Sequence, residues 1–268
     1  MKYSISIGIV TVCYNDLNGL KKTINSVLSQ NYKNYEHIII DGNSNDGTKS
    51  FLNELDSSII WSSEPDFGIY DAMNKGIEKC SSDFIVFMNS GDTFFDENTL
   101  YLVASSARLN TNIIYGDSIS DYGYKKVLRK ASDVHLFKSG CFLKMGFSHQ
   151  AVYVSKNIYS KKRFDLNYKV ASDFDFMYQP LIICSNDKSI VRINMPVCFF
   201  NTGGVSDLNK LAAIKDKIEI INRNSNCSFF KYLFVNFKMF FFYFLEIFKS
   251  RFRLRFRKYE SRFKKDVR

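Results

Sequence analysis

Short apolar runs alternate with helical stripes along the first third of the chain, the pattern of a parallel sheet with crossover helices. Ser4–Val12, Tyr35–Ile40, Ile59–Ser62, Asp83–Met88 and Asn112–Tyr115 read as strands. Between them, Leu17–Ser29 carries Leu20, Ile24, Val27 and Leu28 at helical spacing, and Gly47–Leu55, Ile69–Lys79 and Asp96–Leu109 read as helices. Two of the apolar runs stop abruptly on polar turns. His37–Ile40 ends in Asp41-Gly42, and Phe84–Met88 ends in Asn89-Ser90-Gly91-Asp92. Open α/β sheets bind ligands at the carboxyl edge of their strands, so each stop delivers one carboxylate to that edge. Two such acids suit a polar, phosphorylated, hydroxyl-bearing ligand accompanied by a cation. The chain reads as an enzyme.

From about Asp121 to Gly204 the pattern is mixed. Short strands are expected at Val127–Ala131, Gln150–Val154 and Ser189–Ile193, with a helix over Asp173–Ile183. A further helix covers Leu208–Asn222, and Asn224–Ser228 reads as a junction. With 268 residues, 46% of them hydrophobic, the chain can bury one good-sized core and carry an appendage. The expected division is one α/β domain over 1–223, with halves at 1–117 and 118–223, and a tail over 224–268. Six cysteines lack any CxxC pair or metal-ligand spacing and read as reduced core thiols of the cytosol. Met1-Lys2-Tyr3 runs straight into the first strand without the features of a secretory signal.

The first strand ends in Thr11-Val12-Cys13-Tyr14-Asn15, where a dinucleotide-binding protein would carry a G-x-G-x-x-G turn against a pyrophosphate. A bulky Tyr14-Asn15 turn instead suits stacking or edge contacts to a base, and Asp41 suits a hydrogen bond to base or ribose. Alone, Asp41 reads equally as a turn or helix-cap acid. Asp71, Asn74 and Lys75 present acid, amide and amine on one helical face, which a solvated face would also explain. Asp92, beside a glycine that permits close approach, suits Mg²⁺ or Mn²⁺, ions that complete their shell with substrate phosphate and water. His37 lies inside a strand and reads as buried. His149 reads as structural or as a ligand to phosphate, and Gly203-Gly204 as a plain turn or an acceptor-closing loop.

Together these segments resemble the family 2 inverting glycosyltransferases of the GT-A fold, in the subgroup that builds bacterial surface polysaccharides. The resemblance rests on TVCYN (11–15), DGNSNDGT (41–48), EPDFGIYDAMNKGI (64–77) and FMNSGD (87–92). Downstream, YGD (115–117), SHQAVYV (148–154), ASDFDF (171–176) and NTGGVS (201–206) extend it. It implies a Rossmann-like mixed sheet flanked by helices, with a nucleotide-sugar-binding half at 1–117 and an acceptor and base half at 118–223. Thr11, Tyr14, Asn15 and Asp41, with Asp66, Asn74, Lys75 and Asp92, would hold the donor. Asp92 would carry the divalent metal, His149 and Gly204 would meet acceptor or diphosphate, and Asp173 would be the general base. The family's metal motif is often D-x-D, but Ser90 stands at its first position and leaves Asp92 as the only acid. Asp175 competes with Asp173; at i and i+2 on a helix only one can face the donor, and position in the motif favours Asp173, which also suits an N-cap.

Charge locates the last expectation. Of 37 Lys/Arg and 27 Asp/Glu, 12 and three lie in 229–268, leaving 25 basic against 24 acidic groups elsewhere. The body is neutral and the tail carries the charge. Phe229–Phe248 is long enough to span a bilayer, but Lys231, Lys238 and Glu246 interrupt it. On a helical wheel these and Lys249 share a narrow arc opposite a wide aromatic face, the pattern of a helix lying in a membrane interface. Arg251–Arg268 adds a polybasic segment for anionic lipid. The expected placement is cytoplasmic, peripheral on the inner leaflet, within reach of a lipid-linked saccharide acceptor. Self-association or a partner helix is the other cover for the aromatic face, and the greasy half argues against nucleic acid. Two rivals to the transferase are a sugar-phosphate nucleotidyltransferase, which would need a Gly-rich phosphate loop that CYNDLNG lacks, and an inactive sugar-binding scaffold.

Overall fold

The computed structural model describes residues 4–138, 142, 144–201, 209–224, 233–234, 237–241 and 243–245. The first half follows the alternating pattern. Strands β1 (Ile7–Cys13), β2 (Tyr35–Asp41), β3 (Ile59–Ser63) and β4 (Phe84–Phe87) alternate with helices α1 (Leu17–Leu28), α2 (Thr48–Asn53) and α3 (Ile69–Lys79). These four strands are parallel, in the order β3-β2-β1-β4. Every residue of β1 is buried, as a central strand covered on both faces requires. Its side chains split by parity: Ile7 and Ile9 enter one hydrophobic cluster, Val10 and Val12 the other.

Helix α3 lays Ala72, Met73, Gly76 and Ile77 on this sheet. Gly76 permits that approach, because a Cβ there would stand 2.3 Å from Val10 Cγ1. Register matters for function. Cys13 is paired with Asp41, and Asp41 with Ser63, so three strand ends line up at the carboxyl edge.

The second half extends the sheet with mixed polarity. After β5 (Thr93–Phe94) and α4 (Thr99–Ser106) come β6 (Ile113–Asp121), β7 (Lys126–Arg129), α5 (His135–Lys138), a 3₁₀ turn (His149–Ala151), β8 (Val152–Ser155) and α6 (Lys156–Tyr159). Helix α7 (Ser172–Asp187), β9 (Ile190–Asn201) and α8 (Lys210–Asn224) follow. The full order is β3-β2-β1-β4-β8-β6-β9-β5, with β7 on β6. Strand β8 lies antiparallel between β4 and β6, and β9 runs parallel to β6.

Several boundaries differ from expectation. The helix read over Asp96–Leu109 shortens, because Asp96 and Thr99 close a hydrogen-bonded turn at its start. Both β6 and β9 outrun their apolar cores, since they pair along their whole length. Pro196, which has no N–H to give, falls at a register shift opposite Asp117. The short elements β5, α5 and α6 have no expected counterpart. No disulfide joins the described cysteines, Cys13, Cys80, Cys184 and Cys198.

Candidate active site

The ends of β1 and β2 build one wall. Asp41 is fully buried, with Oδ2 accepting from Ser44 N (3.0 Å) and Ser63 Oγ (2.7 Å) and Oδ1 from Ser44 Oγ. Asn15 stitches the loops above it: its N–H donates to Ser44 Oγ (2.7 Å), and its Oδ1 accepts from Asn45 N (2.9 Å). Tyr14 is 67% exposed, an aromatic face offered to the edge. Gly42 lies between Tyr14 and Asp66; a Cβ there would stand 2.5 Å from Asp66 Oδ2 and 3.2 Å from Tyr14 Cδ2. Asp66 in turn accepts from Gly68 N (2.8 Å), just before α3.

Lys75 is not a free cation. Its Nζ lies 3.2 Å from Glu64 and 3.7 Å from Asp71 and donates to Pro65 O (2.9 Å), so it pins the segment that carries Asp66. Two other expected donor contacts are committed elsewhere in this structure. Thr11 is fully buried, with Oγ1 3.0 Å from His37 Nε2. The Asn74 amide pairs both ways with the Phe164 backbone (2.9 and 2.8 Å). That pairing seats the Phe164 ring against Tyr70, Phe87 and Phe176.

The opposite wall comes from α7 and the turn before β8. Asp173, 24% exposed, lies in the first turn of α7. Its Oδ1 accepts from Phe174 N (2.8 Å) and Tyr70 Oη (3.3 Å), and its Oδ2 lies 3.6 Å from His149 Nδ1. Burial pushes the Asp173 carboxyl up, but the contact with and charge of His149, with Lys217 and the Phe174 N–H, outweigh it and hold it below its ordinary value. Burial and the charge of Asp173 raise Tyr70, which stays a phenol donor. Asp175 points away: it is buried and ion-paired at 2.6 Å with Arg223 of α8. The i, i+2 pair therefore divides into one acid on the site and one locking two helices.

The end of β4 closes the ring. Asn89 Nδ2 lies 3.3 Å from His149 Nε2. Asp92, 3% exposed, accepts from Asn89 N (3.0 Å), Gln150 Nε2 (3.1 Å) and Asn201 N (3.2 Å). Burial pushes its carboxyl up to about 6, against the pull of His149 and these donors. Three accepted bonds leave Asp92 about one of its four lone-pair positions for a cation. Among the described residues no three His, Cys, Asp or Glu gather to hold a metal. The set thus fits an ion only if the donor's phosphates and water fill most of its shell.

Asp16 was not expected at the site. Its Oδ1 caps α1 through Gly19 N (3.0 Å), and its Oδ2 accepts from Ser90 Oγ (2.8 Å), beside the position that lacks the motif's acid. Its only sequence signal was a capping acid before an amphipathic run. Gly204 lies outside the described residues.

These contacts run from Asp41 through Gly42 and Asp66 to α3, from Tyr70 to Asp173, and from His149 to Asn89 and Asp92. The profile of glycosyl transferase family 2 matches residues 8–176, a span that contains all of them. The chain belongs to that family. An uncharacterized glycosyltransferase of Mycobacterium tuberculosis is 30% identical over 218 residues, 78% of this chain and 80% of that protein. A PGL/p-HBAD biosynthesis glycosyltransferase of Mycobacterium bovis is 24% identical over 204 residues, covering 70% and 74%.

Among solved structures, TarS 1–349 of S. aureus in complex with UDP-GlcNAc superposes with a TM-score of 0.60 at 11% identity, over 84% of this chain and 68% of that one. The mannosyltransferase PcManGT of Pyrobaculum calidifontis, in complex with GDP-Man and Mn²⁺, gives 0.61 at 13% identity over 84% and 66%. At that identity they speak for the fold, which in this glycosyltransferase is GT-A. A groove of about 660 Å³ lined by Tyr32, Asp83, Tyr101, Arg108 and Lys156 lies at the amino edge of the parallel strands, away from this ring of contacts. The candidate site is the one at the carboxyl edge, where the acids, the histidine and the glycine-permitted approach lie.

Proposed function

We propose that the enzyme moves a hexose or N-acetylhexosamine, with inversion, from a nucleotide sugar to a polyprenyl-diphosphate-linked saccharide in bacterial surface polysaccharide synthesis, whether of lipopolysaccharide O-antigen, capsule or exopolysaccharide. The observation that carries this reading is the placement of Asp173. It is a partly exposed carboxylate held by His149 and Tyr70, joined through α3 to the Tyr14–Gly42–Asp66 cradle.

In this reading Tyr14 stacks on the base, for which uracil is the first candidate, while Asn15, Asp41 and Asp66 shape the nucleoside pocket. Thr11, Asn74 and Lys75 serve it indirectly, as struts for β1, Phe164 and the Glu64–Asp66 segment. Asp173 takes the proton of the acceptor hydroxyl as that oxygen bonds to the anomeric carbon, and the bond from that carbon to the diphosphate breaks. A carboxylate held below its ordinary pKa is ionised at neutral pH and ready to accept. Mn²⁺ or Mg²⁺ arriving with the diphosphate, with Asp92 as its protein contact, would neutralise the leaving group's charge. Gly204 belongs to the acceptor side of the same reading.

The tail supports placement at the cytoplasmic face of the inner membrane. The chain's surplus charge lies in 229–268, and Phe234, Phe237, Phe240, Phe241 and Phe244 are exposed. Among the described residues no helix is long and apolar enough to cross a membrane, and an interfacial helix with a polybasic segment needs none. A thermal-shift screen of UDP, GDP and other nucleoside diphosphates, with and without Mn²⁺, tests the donor assignment. One nucleotide should raise the melting temperature, more so with metal. No shift with any of them would overturn nucleotide-sugar use.

A further inference from the structure

We propose that His149 is a positioning residue for the general base: it fixes the Asp173 carboxylate and ties it to the donor-side end of β4. The inference rests on the reading of Asp173 above. Asp173 Oδ1 is held twice, by Phe174 N (2.8 Å) and Tyr70 Oη (3.3 Å). Oδ2, the oxygen left to meet an acceptor hydroxyl, lies 3.6 Å from His149 Nδ1, and the charge of Lys217 also acts on the carboxylate. An isolated Asp side chain would rotate about its Cβ–Cγ bond and lose its aim, and these contacts prevent that.

The other face of the imidazole explains why Nδ1 can do this. Nε2 lies 3.3 Å from Asn89 Nδ2. An amide NH₂ can only donate, so Nε2 must accept and the ring proton sits on Nδ1, facing the carboxylate. The tautomer is thus set by Asn89, at the end of the strand that continues into Ser90-Gly91-Asp92. His149 opens the 3₁₀ turn whose next residue, Gln150, donates to Asp92 Oδ2 (3.1 Å). One short turn therefore holds both the base and the acid beneath the diphosphate position. Donor and base walls are registered against each other through His149, the same logic by which a base's orientation is fixed by a third group. The opposite orientation of the Asn89 amide would turn Oδ1, which is buried with no partner among the described residues, toward Nε2. In a neutral ring it would move the proton to Nε2 and leave two lone pairs facing each other across 3.6 Å.

Nitrogen NMR of the full chain with ¹⁵N-labelled histidine, recorded at pH 8, separates these states without any ligand. The three histidines, His37, His135 and His149, are assigned with H149Q. His149 should show the Nδ1–H tautomer, uncommon for a free imidazole, and should lose it in N89A while D173N shifts its Nδ1–H signal. An Nε2–H tautomer indifferent to both substitutions would overturn the inference. Kinetically, H149A should lower kcat by about 10–100-fold with the KM for the nucleotide sugar and the nucleotide thermal shift unchanged, and added imidazole should restore part of the loss. Unchanged kcat would contradict the role. If D173N is dead while H149A turns over normally, only the positioning role fails; if D173N turns over normally, the reading of Asp173 itself fails.

Discussion

His37 is sealed between β1 and β2, with Nε2 on Thr11 and Nδ1 buried without a partner among the described residues. Burial drives its pKa down to about 3, so the folded ring stays neutral where the unfolded chain takes up a proton. Below the ordinary value of about 6.5 the unfolded state therefore binds more protons, and stability falls as pH drops toward 3. The slope is about 1.4 kcal/mol per pH unit at most. Asp92, raised to about 6, acts in the other direction: its contribution is whole below the ordinary carboxylate pKa and is lost as pH rises through about 6. A melting-temperature comparison of wild type with H37Q between pH 7 and pH 4.5 cancels the Asp92 part. Wild type should lose more on acidification than the variant; parallel curves would refute the burial account.

Between elements, the closest approach that shapes the donor wall is α3 on β1. Gly76→Ala would press a methyl onto the short, branched Val10 side chain, 2.3 Å from Cγ1 and 3.1 Å from Cγ2, with no long flexible tip to yield. Overpacking of this kind should cost about 1–3 kcal/mol, read as a lower midpoint in urea unfolding; an unchanged midpoint would mean that α3 is free to shift outward. The same contacts show what the sequence made legible. Parallel strands β1 to β4 and helix α3 could be read because each buries a full periodic face, and Asp41 and Asp92 because apolar runs stop on them. What escaped depended on pairing at a distance. Strand β9 runs on past its apolar core because β6 lies beside it. Asn74 faces the Phe164 backbone 90 residues away. Arg223, 48 residues from Asp175, decides which of the two motif acids faces the site. Local spacing carries none of these, whereas the motif order that marks the family carried Asp173.

At the scale of the molecule, a nearly neutral catalytic body is joined to a tail holding 12 of the 37 basic residues. The described part of that tail is helical at 237–241, with Phe237, Phe240 and Phe241 exposed and Lys238 over the Phe234 ring at 4.4 Å. Full-length protein should sediment with phosphatidylglycerol vesicles and release as salt rises, while a chain ending at Asn224 should stay in the supernatant. Sedimentation of the shortened chain would reject the tail as the anchor. Attachment would bring a lipid-linked acceptor to the Asp173 wall, and on that carboxylate the account stands. Its most direct test measures turnover and nucleotide binding side by side in D173N and D175N. The account predicts that D173N loses about 10²–10⁴-fold in kcat while binding the nucleoside diphosphate as wild type does. D175N should melt at a lower temperature yet keep its turnover. Wild-type turnover in D173N would contradict the account.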